Sequence, residues 1–243
     1  MTPHVREARI HPRAPRSGTV PVPAYLARTY WWAYLHPRGV RVFERQWLVN
    51  LILWGNFRRL GDAALDTLRP RLGGRVLQLA CVYGDLTLRL ARALPTGGRL
   101  DVVDVAPIQL DNLARKLPRD APVRLVHADA TALAAPAASY DAVLSFFLLH
   151  EQPAEVRRRT LAEALRVMRP GGKLVIVDYH RPHALHPLRP LMRQVLARLE
   201  PYALDLWREG IEAWLPATEG LRIEKRLYFG GLYQLVEITR CDA

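Results

Sequence analysis

Asp104, Asp129, His150-Glu151 and Asp178-Tyr179-His180 stand at the ends of successive apolar runs in the sequence. Side chains at the carboxyl ends of parallel strands face a common crevice, so these residues are candidates for chemistry. Asp104 follows the strand–turn–helix at Val76–Asp85 by about twenty residues, where an acidic group accepts hydrogen bonds from both hydroxyls of a ribose. Asp129 ends the next run and can accept from an exocyclic amine such as that of adenine. With the turn at Gly84, the two carboxylates point to an adenosine-containing ligand. His150-Glu151 and Asp178–His180 end neighbouring strands, and a neutral imidazole there can take a proton near pH 7. Asp141, in Tyr140-Asp141, reads as structural, and His183 and His186, among prolines, read as surface residues.

The elements that position these groups follow from periodicity. Apolar runs at Arg75–Ala80, Arg99–Val105, Arg124–Ala128, Ala142–Leu148 and Lys173–Tyr179 predict buried parallel strands. Helical spacing is found over Asp85–Leu94, Pro107–Lys116, Ala154–Met168 and Leu188–Leu199. Strand and helix alternate, which predicts a doubly wound α/β sheet. Leu221–Phe229 and Leu232–Arg240 flank Gly230-Gly231 and predict a closing antiparallel hairpin. The turn after the first strand keeps one glycine, Gly84, where a dinucleotide-binding fingerprint needs three, so that reading fails. The helix start still offers backbone N–H groups to a polar or anionic ligand.

Residues 24–69 are crowded with Trp and Tyr. A helix is expected near Ala24–Leu35. After Pro37 and Gly39, the steps Val40, Phe43, Trp47, Leu51 and Trp54 predict one face of a second helix. Leu48, Val49, Ile52 and Leu53 make that helix apolar nearly all round, so it is buried or lies against an apolar partner. A helical cap on the main domain and a lid over a hydrophobic substrate both satisfy this pattern. Residues 1–22, rich in Arg and Pro, read as a flexible basic tail without the apolar core of a secretory signal.

The chain of 243 residues is 50% hydrophobic and 24% charged, with a net charge of +12. Such a balance fits a folded protein near an anionic surface, of lipid or nucleic acid, or simply a solvated basic surface. Two cysteines, Cys81 and Cys241, give no disulfide framework and no paired-cysteine metal site. No apolar run reaches the ~20 residues of a spanning helix. The expected location is cytoplasmic, peripheral on the inner face of a bacterial cytoplasmic membrane.

Over residues 70–243 the chain resembles the class I S-adenosylmethionine (SAM)-dependent methyltransferases. The resemblance rests on the turn Ala80–Gly84, Asp104, Asp129, Tyr140-Asp141 and Arg169-Pro170-Gly171-Gly172-Lys173. It implies a seven-stranded, mostly parallel Rossmann-like sheet, here with an aromatic helical lid over 23–69. The first motif departs from that pattern: an acidic residue and alternate glycines are expected where Gln78, Ala80, Val82 and Gly84 stand. The strings at 77–87, Tyr30–Tyr34 and Trp47–Asn56 are in turn similar to the RquA family of rhodoquinone-biosynthesis proteins. That resemblance implies conversion of ubiquinone to rhodoquinone, a ring methoxy group being replaced by an amino group, with SAM as nitrogen donor and Mn²⁺ assisting.

On this reading Gln78, Ala80, Tyr83, Gly84, Asp85, Asp104, Val105, Asp129 and Ala130 hold SAM, and Tyr30, Tyr34 and Asn56 cover it. A neutral Gln78 lacks the carboxylate that would hold the SAM amine as a non-nucleophilic ammonium. The Cβ atoms of Ala80 and Val82 are expected to push the methionine end outwards. His150, Tyr179 and His180 are the catalytic candidates. His150, Glu151 and His180 are the candidate Mn²⁺ ligands, since Mn²⁺ takes O and N donors and would polarise a quinone carbonyl. Implied partners are a polyprenyl quinone and anionic lipid.

Three alternatives stay open: an ordinary SAM-dependent methyltransferase of a quinone or lipid-like substrate, a SAM-binding protein without catalysis, and an RNA-directed protein. The last lacks any recognised RNA motif, and its basic residues are spread rather than clustered, so no nucleic-acid partner is expected.

Overall fold

The computed structural model describes residues 20–241, so most of the basic segment 1–22 lies outside the described residues. Seven strands form one sheet in the order β3-β2-β1-β4-β5-β7-β6. They are β1 (Arg75–Leu79), β2 (Arg99–Asp104), β3 (Val123–His127), β4 (Tyr140–Phe146), β5 (Met168–Tyr179), β6 (Leu221–Tyr228) and β7 (Tyr233–Arg240). The first five are parallel. β7 runs antiparallel to both β5 and β6, closing the sheet as the hairpin predicted. All of β4 is buried, which is why its sequence shows no alternation.

Helices cover both faces over two apolar cores. One core joins α4 (Phe57–Leu68), α5 (Leu86–Ala93), α6 (Pro107–Lys116) and α8 (Arg189–Leu199) to one face of the sheet. The other joins α7 (Ala154–Val167) to the opposite face, and α9 (Ala203–Arg208) contributes to both cores. Strand order reverses between β1 and β4, and the crevice opens at their carboxyl ends.

The N-terminal region differs from its periodicity. The first expected helix is split into α1 (Ala24–Thr29) and a wide turn, Trp31–Leu35, in which His36 N–H bonds Trp31 O at 2.9 Å. The second is split into α2 (Pro37–Phe43) and α3 (Gln46–Ile52), with extended backbone at Arg45. Three contacts hold Glu44 at the break. Its carboxylate accepts from Asn112 Nδ2 at 2.6 Å, Lys116 Nζ at 2.6 Å and Gly84 N–H at 3.3 Å. The predicted single apolar face is therefore divided: Val40 is buried, whereas Trp47 and Leu51 are 61% and 62% exposed. Gly39 lets α2 cross the wide turn, because a Cβ there would lie 1.8 Å from Trp32 O. α4 presents Phe57, Leu60, Ala64 and Leu68 to the sheet and packs on β5 and β7.

Candidate active site

The turn after β1 is built by two residues that take unusual roles. Gln78 is fully buried, and its amide donates to Ala80 O and Thr87 Oγ1, both at 2.9 Å. Ala80 has φ +65°, a left-handed conformation that costs an L residue roughly 1–2 kcal/mol. The backbone thus keeps a shape suited to glycine while carrying an alanine, and the Gln78 amide pins its carbonyl. Gly84 has φ +81°, and a Cβ there would meet Gln46 Oε1 at 2.7 Å and Phe57 Cζ at 3.1 Å. The space above Gly84 is filled by the N-terminal segment.

Beyond the turn lies a cavity. Asp104 Oδ2 accepts from Cys81 N–H at 2.7 Å and Oδ1 from Ala106 N–H at 2.8 Å. Each carboxylate oxygen retains a lone pair, and Asp104 lines the cavity. Burial raises its pKa, opposed by the two N–H bonds. Asp129 Oδ1 caps Thr131 N–H at 2.8 Å, and Asp129 also lines the cavity with Val105 and Ala130. This end offers acceptors for ribose hydroxyls and an exocyclic amine.

The opposite end holds an acid–histidine cluster. His150 Nδ1 lies 2.9 Å from Asp178 Oδ1, and Asp178 Oδ2 accepts from Leu149 N–H at 2.9 Å. His150 Nε2 lies 3.8 Å from Glu151 Oε1 and 4.0 Å from Glu200 Oε2. Burial works to lower the His150 pKa, but Asp178, Glu200 and Glu151 together outweigh it and raise it to about 9. The three carboxylates thus favour the protonated imidazole, whereas the sequence suggested a neutral base. Burial, with Glu200 nearby, raises Glu151, while His150 opposes the rise. Glu200 is raised by burial too. Tyr30 and Glu200 face each other at the cavity wall, where burial and the Glu200 carboxylate raise the Tyr30 pKa.

The N-terminal segment closes the cavity. Tyr34 Oη donates to Glu151. Tyr34 stacks on Tyr83 with ring centroids 5.6 Å apart and planes 6° from parallel. Tyr83 Oη donates to Ala33 O at 2.6 Å, and Gln109 Nε2 donates to Tyr83 Oη at 2.7 Å and Tyr34 O at 3.0 Å. Apolar walls come from Val49, Ile52, Leu53, Phe146 and Phe147. Phe147 has φ +53° and meets His150, Tyr179 and Tyr233 edge-on.

Of the expected SAM residues, Tyr30, Tyr34, Ala80, Tyr83, Asp104, Val105, Asp129 and Ala130 line the cavity. Gln78, Gly84, Asp85 and Asn56 do not. Gln78 braces the turn from beneath, Gly84 is covered by Glu44 and Gln46, Asp85 precedes α5, and the Asn56 amide donates to Leu53 O and Trp54 O. His150, Glu151 and Tyr179 are brought together at the cavity, but His180 is not. The His180 ring instead bonds Gly231 O at 2.9 Å on the hairpin side. Among the described residues, no group of three His, Cys, Asp or Glu side chains is arranged to hold a metal ion, so the expected Mn²⁺ set of His150, Glu151 and His180 does not assemble.

Sequence reasoning missed Glu200, Gln109 and Glu44. Gln109 had a signal, sitting in the first turn of the helix after Asp104. Glu200 and Glu44 had none, since both arrive through tertiary packing. Arg157 was also missed. It is fully buried and donates to Leu149 O, Gln152 O and Tyr202 O, each at 2.9 Å, bracketing His150-Glu151.

A family model described as "Methyltransferase domain" matches residues 76–172. The chain is 36% identical over 162 residues to an uncharacterized methyltransferase of Mycobacterium tuberculosis, covering 66% of this chain and 78% of that protein. It is 29% identical over 206 residues to a demethylmenaquinone methyltransferase of Clavibacter sepedonicus, covering 76% of this chain and 81% of that one. The solved structure of the [4+2]-cyclase SpnF superposes with a TM-score of 0.56 at 18% identity, covering 76% of this chain and 82% of that chain. The last match concerns fold alone, and a cyclase on this fold shows that the fold is not tied to one chemistry.

Proposed function

The chain belongs to the class I SAM-dependent methyltransferases, and from that premise we propose that it is a SAM-dependent enzyme of quinone conversion. In this reading it replaces a ring methoxy group of ubiquinone with an amino group. The SAM amine adds at the methoxy-bearing ring carbon, and methanol leaves with the amine's proton. The quinone ring is then reduced as the Cα–N bond is oxidised to an imine, whose hydrolysis on release gives the aminohydroquinone and the 2-oxo acid. The observation that carries the reading is where the resembling strings fall. Tyr30, Trp32, Ala33 and Tyr34, then Val49, Ile52 and Leu53, then Ala80 to Tyr83 all line the cavity. The segments similar to the rhodoquinone-biosynthesis family are therefore the cavity's own walls. The demethylmenaquinone methyltransferase relative supports a quinone as the substrate class.

SAM supplies the amine nitrogen when bound. Asp104 would accept from its ribose hydroxyls and Asp129 from its adenine amine. Gln78 adds no charge beneath the turn, which favours a neutral amine. His150, fixed by Asp178, and Glu151 beside it line the cavity and are placed to hold a proton and donate it towards a quinone carbonyl. Closure by Tyr34 and Tyr83 keeps water out. Mn²⁺ enters this proposal only through the family resemblance; turnover that ignores added Mn²⁺ and chelator would remove it.

The second reading is ordinary methyl transfer to a quinone or lipid-like substrate, favoured by the family itself. Mass spectrometry after incubation of ¹⁵N-amine-labelled SAM with a short-tail ubiquinone and, in parallel, with a short-tail demethylmenaquinol that keeps an open ring position decides between them. Labelled aminoquinone is the expected product. Methylated quinone with S-adenosylhomocysteine would replace amination by the second reading.

A further inference from the structure

Helix α8 carries more apolar surface than the core covers. Met192 and Leu196 face inwards and are buried, yet Leu191 and Leu199 are 47% and 52% exposed, with half-buried Val195 between them at four-residue spacing. A surface helix ordinarily has one apolar stripe; this helix has a second, facing solvent among the described residues. The loop leading into α8 ends its own apolar content outwards, with Leu185 96% exposed. Trp54 Nε1 donates to Met192 Sδ at 3.2 Å, so α8 adjoins the end of α3. α3 buries none of its residues, and Trp47, Leu51 and Ile52 lie on its exposed side. Ile52 also lines the cavity, so this surface runs into the cavity wall.

The two helices themselves carry charge of one sign. Neither α3 nor α8 contains an acidic residue, and Arg45, Arg193 and Arg198 are exposed along them. A second copy of this chain would bring arginine against arginine. Anionic lipid satisfies both the apolar and the basic features, with tryptophans at the polar–apolar boundary. We propose that α8, the Leu185 loop and α3 form one docking surface for an anionic bilayer, set beside the cavity wall. This deepens the quinone reading by giving the substrate's lipid reservoir a seat on the protein, with α8 as a full half of that seat.

The test is flotation of the full chain with phosphatidylcholine vesicles, with and without phosphatidylglycerol. Expected are binding to the anionic vesicles, weakening with salt, and a loss of at least about tenfold in Leu191→Glu/Leu199→Glu and in Leu185→Glu. Leu227→Glu, an exposed leucine on β6, should bind as the parent does. Thermal melts and SAM binding of each variant check the fold. Parent-like binding by the α8 and Leu185 variants, or no binding by the parent, overturns the proposal. So does light scattering that finds a parent dimer made monomeric by the α8 changes. Vesicle binding as expected, combined with no conversion of a tail-less quinone, would defeat the function reading and leave the docking surface standing.

Discussion

The hydroxyl of Tyr34 donates to Glu151 across 117 residues of chain, tying the N-terminal segment to the carboxyl end of β4. This contact, with the Tyr34–Tyr83 stack, makes the segment a wall of the cavity. A hydrogen bond to a charged or charge-sharing group contributes about 1.5–3 kcal/mol. Tyr34→Phe should weaken SAM binding about tenfold and speed proteolytic nicking between residues 24 and 56. Calorimetric titration and limited proteolysis read the two effects.

His150 makes stability depend on pH. Its pKa is raised to about 9 in the fold, from an ordinary value near 6.5. The stabilisation is full below about pH 6.5 and is lost as pH rises towards about 9, a change of about 3 kcal/mol at most. Glu151, also raised, acts in the same direction at lower pH. Urea midpoints should fall from pH 6 to pH 9.5, and His150→Gln should flatten that fall.

Arg157 holds the turn that presents His150-Glu151. Lysine cannot span three carbonyls in the guanidinium's planar fork and would also lose the stacking on Trp214, 4.5 Å from the ring centroid. Arg157→Lys should cost about 3 kcal/mol or more by leaving buried acceptors unpaired. The expected signature is a lowered kcat together with the lowered stability, measured by steady-state kinetics and urea denaturation.

The turn after β1 yields opposite outcomes for neighbouring changes. Ala80→Gly relieves a left-handed alanine and should stabilise the chain by about 1 kcal/mol or leave it unchanged. Gln78→Asp removes both amide donors at a fully buried site and adds a charge with no partner, so it should destabilise by about 2 kcal/mol or more. Denaturation midpoints of the two variants, compared with the parent, read this directly.

Much of this architecture was legible in the residues themselves. Buried parallel strands announce themselves as unbroken apolar runs, and Gly230-Gly231 marks the hairpin, because strand burial and turn chemistry are local. Asp104 and Asp129 could be placed for the same reason: each stands at or just past the end of a strand that borders the crevice. The N-terminal segment was not legible in this way. Val40 to Trp54 carries helical periodicity throughout, yet the helix breaks where Glu44 is captured by Asn112, Lys116 and Gly84. Gln78 reads as a ligand residue from its position in the motif, but its side chain turns beneath the loop to Thr87. His180 ends the right strand, and its ring still faces the hairpin. Glu200 joins His150 from a helix end 50 residues away in number, with no local pattern to mark it. Sequence alone determined the sheet, its closing hairpin and the two carboxylates, Asp104 and Asp129, that reach the cavity, since period and turn residues act over a few positions. The tertiary structure decided which side chains share the cavity and how their protons are held, because burial and charge proximity arise only when distant segments pack together.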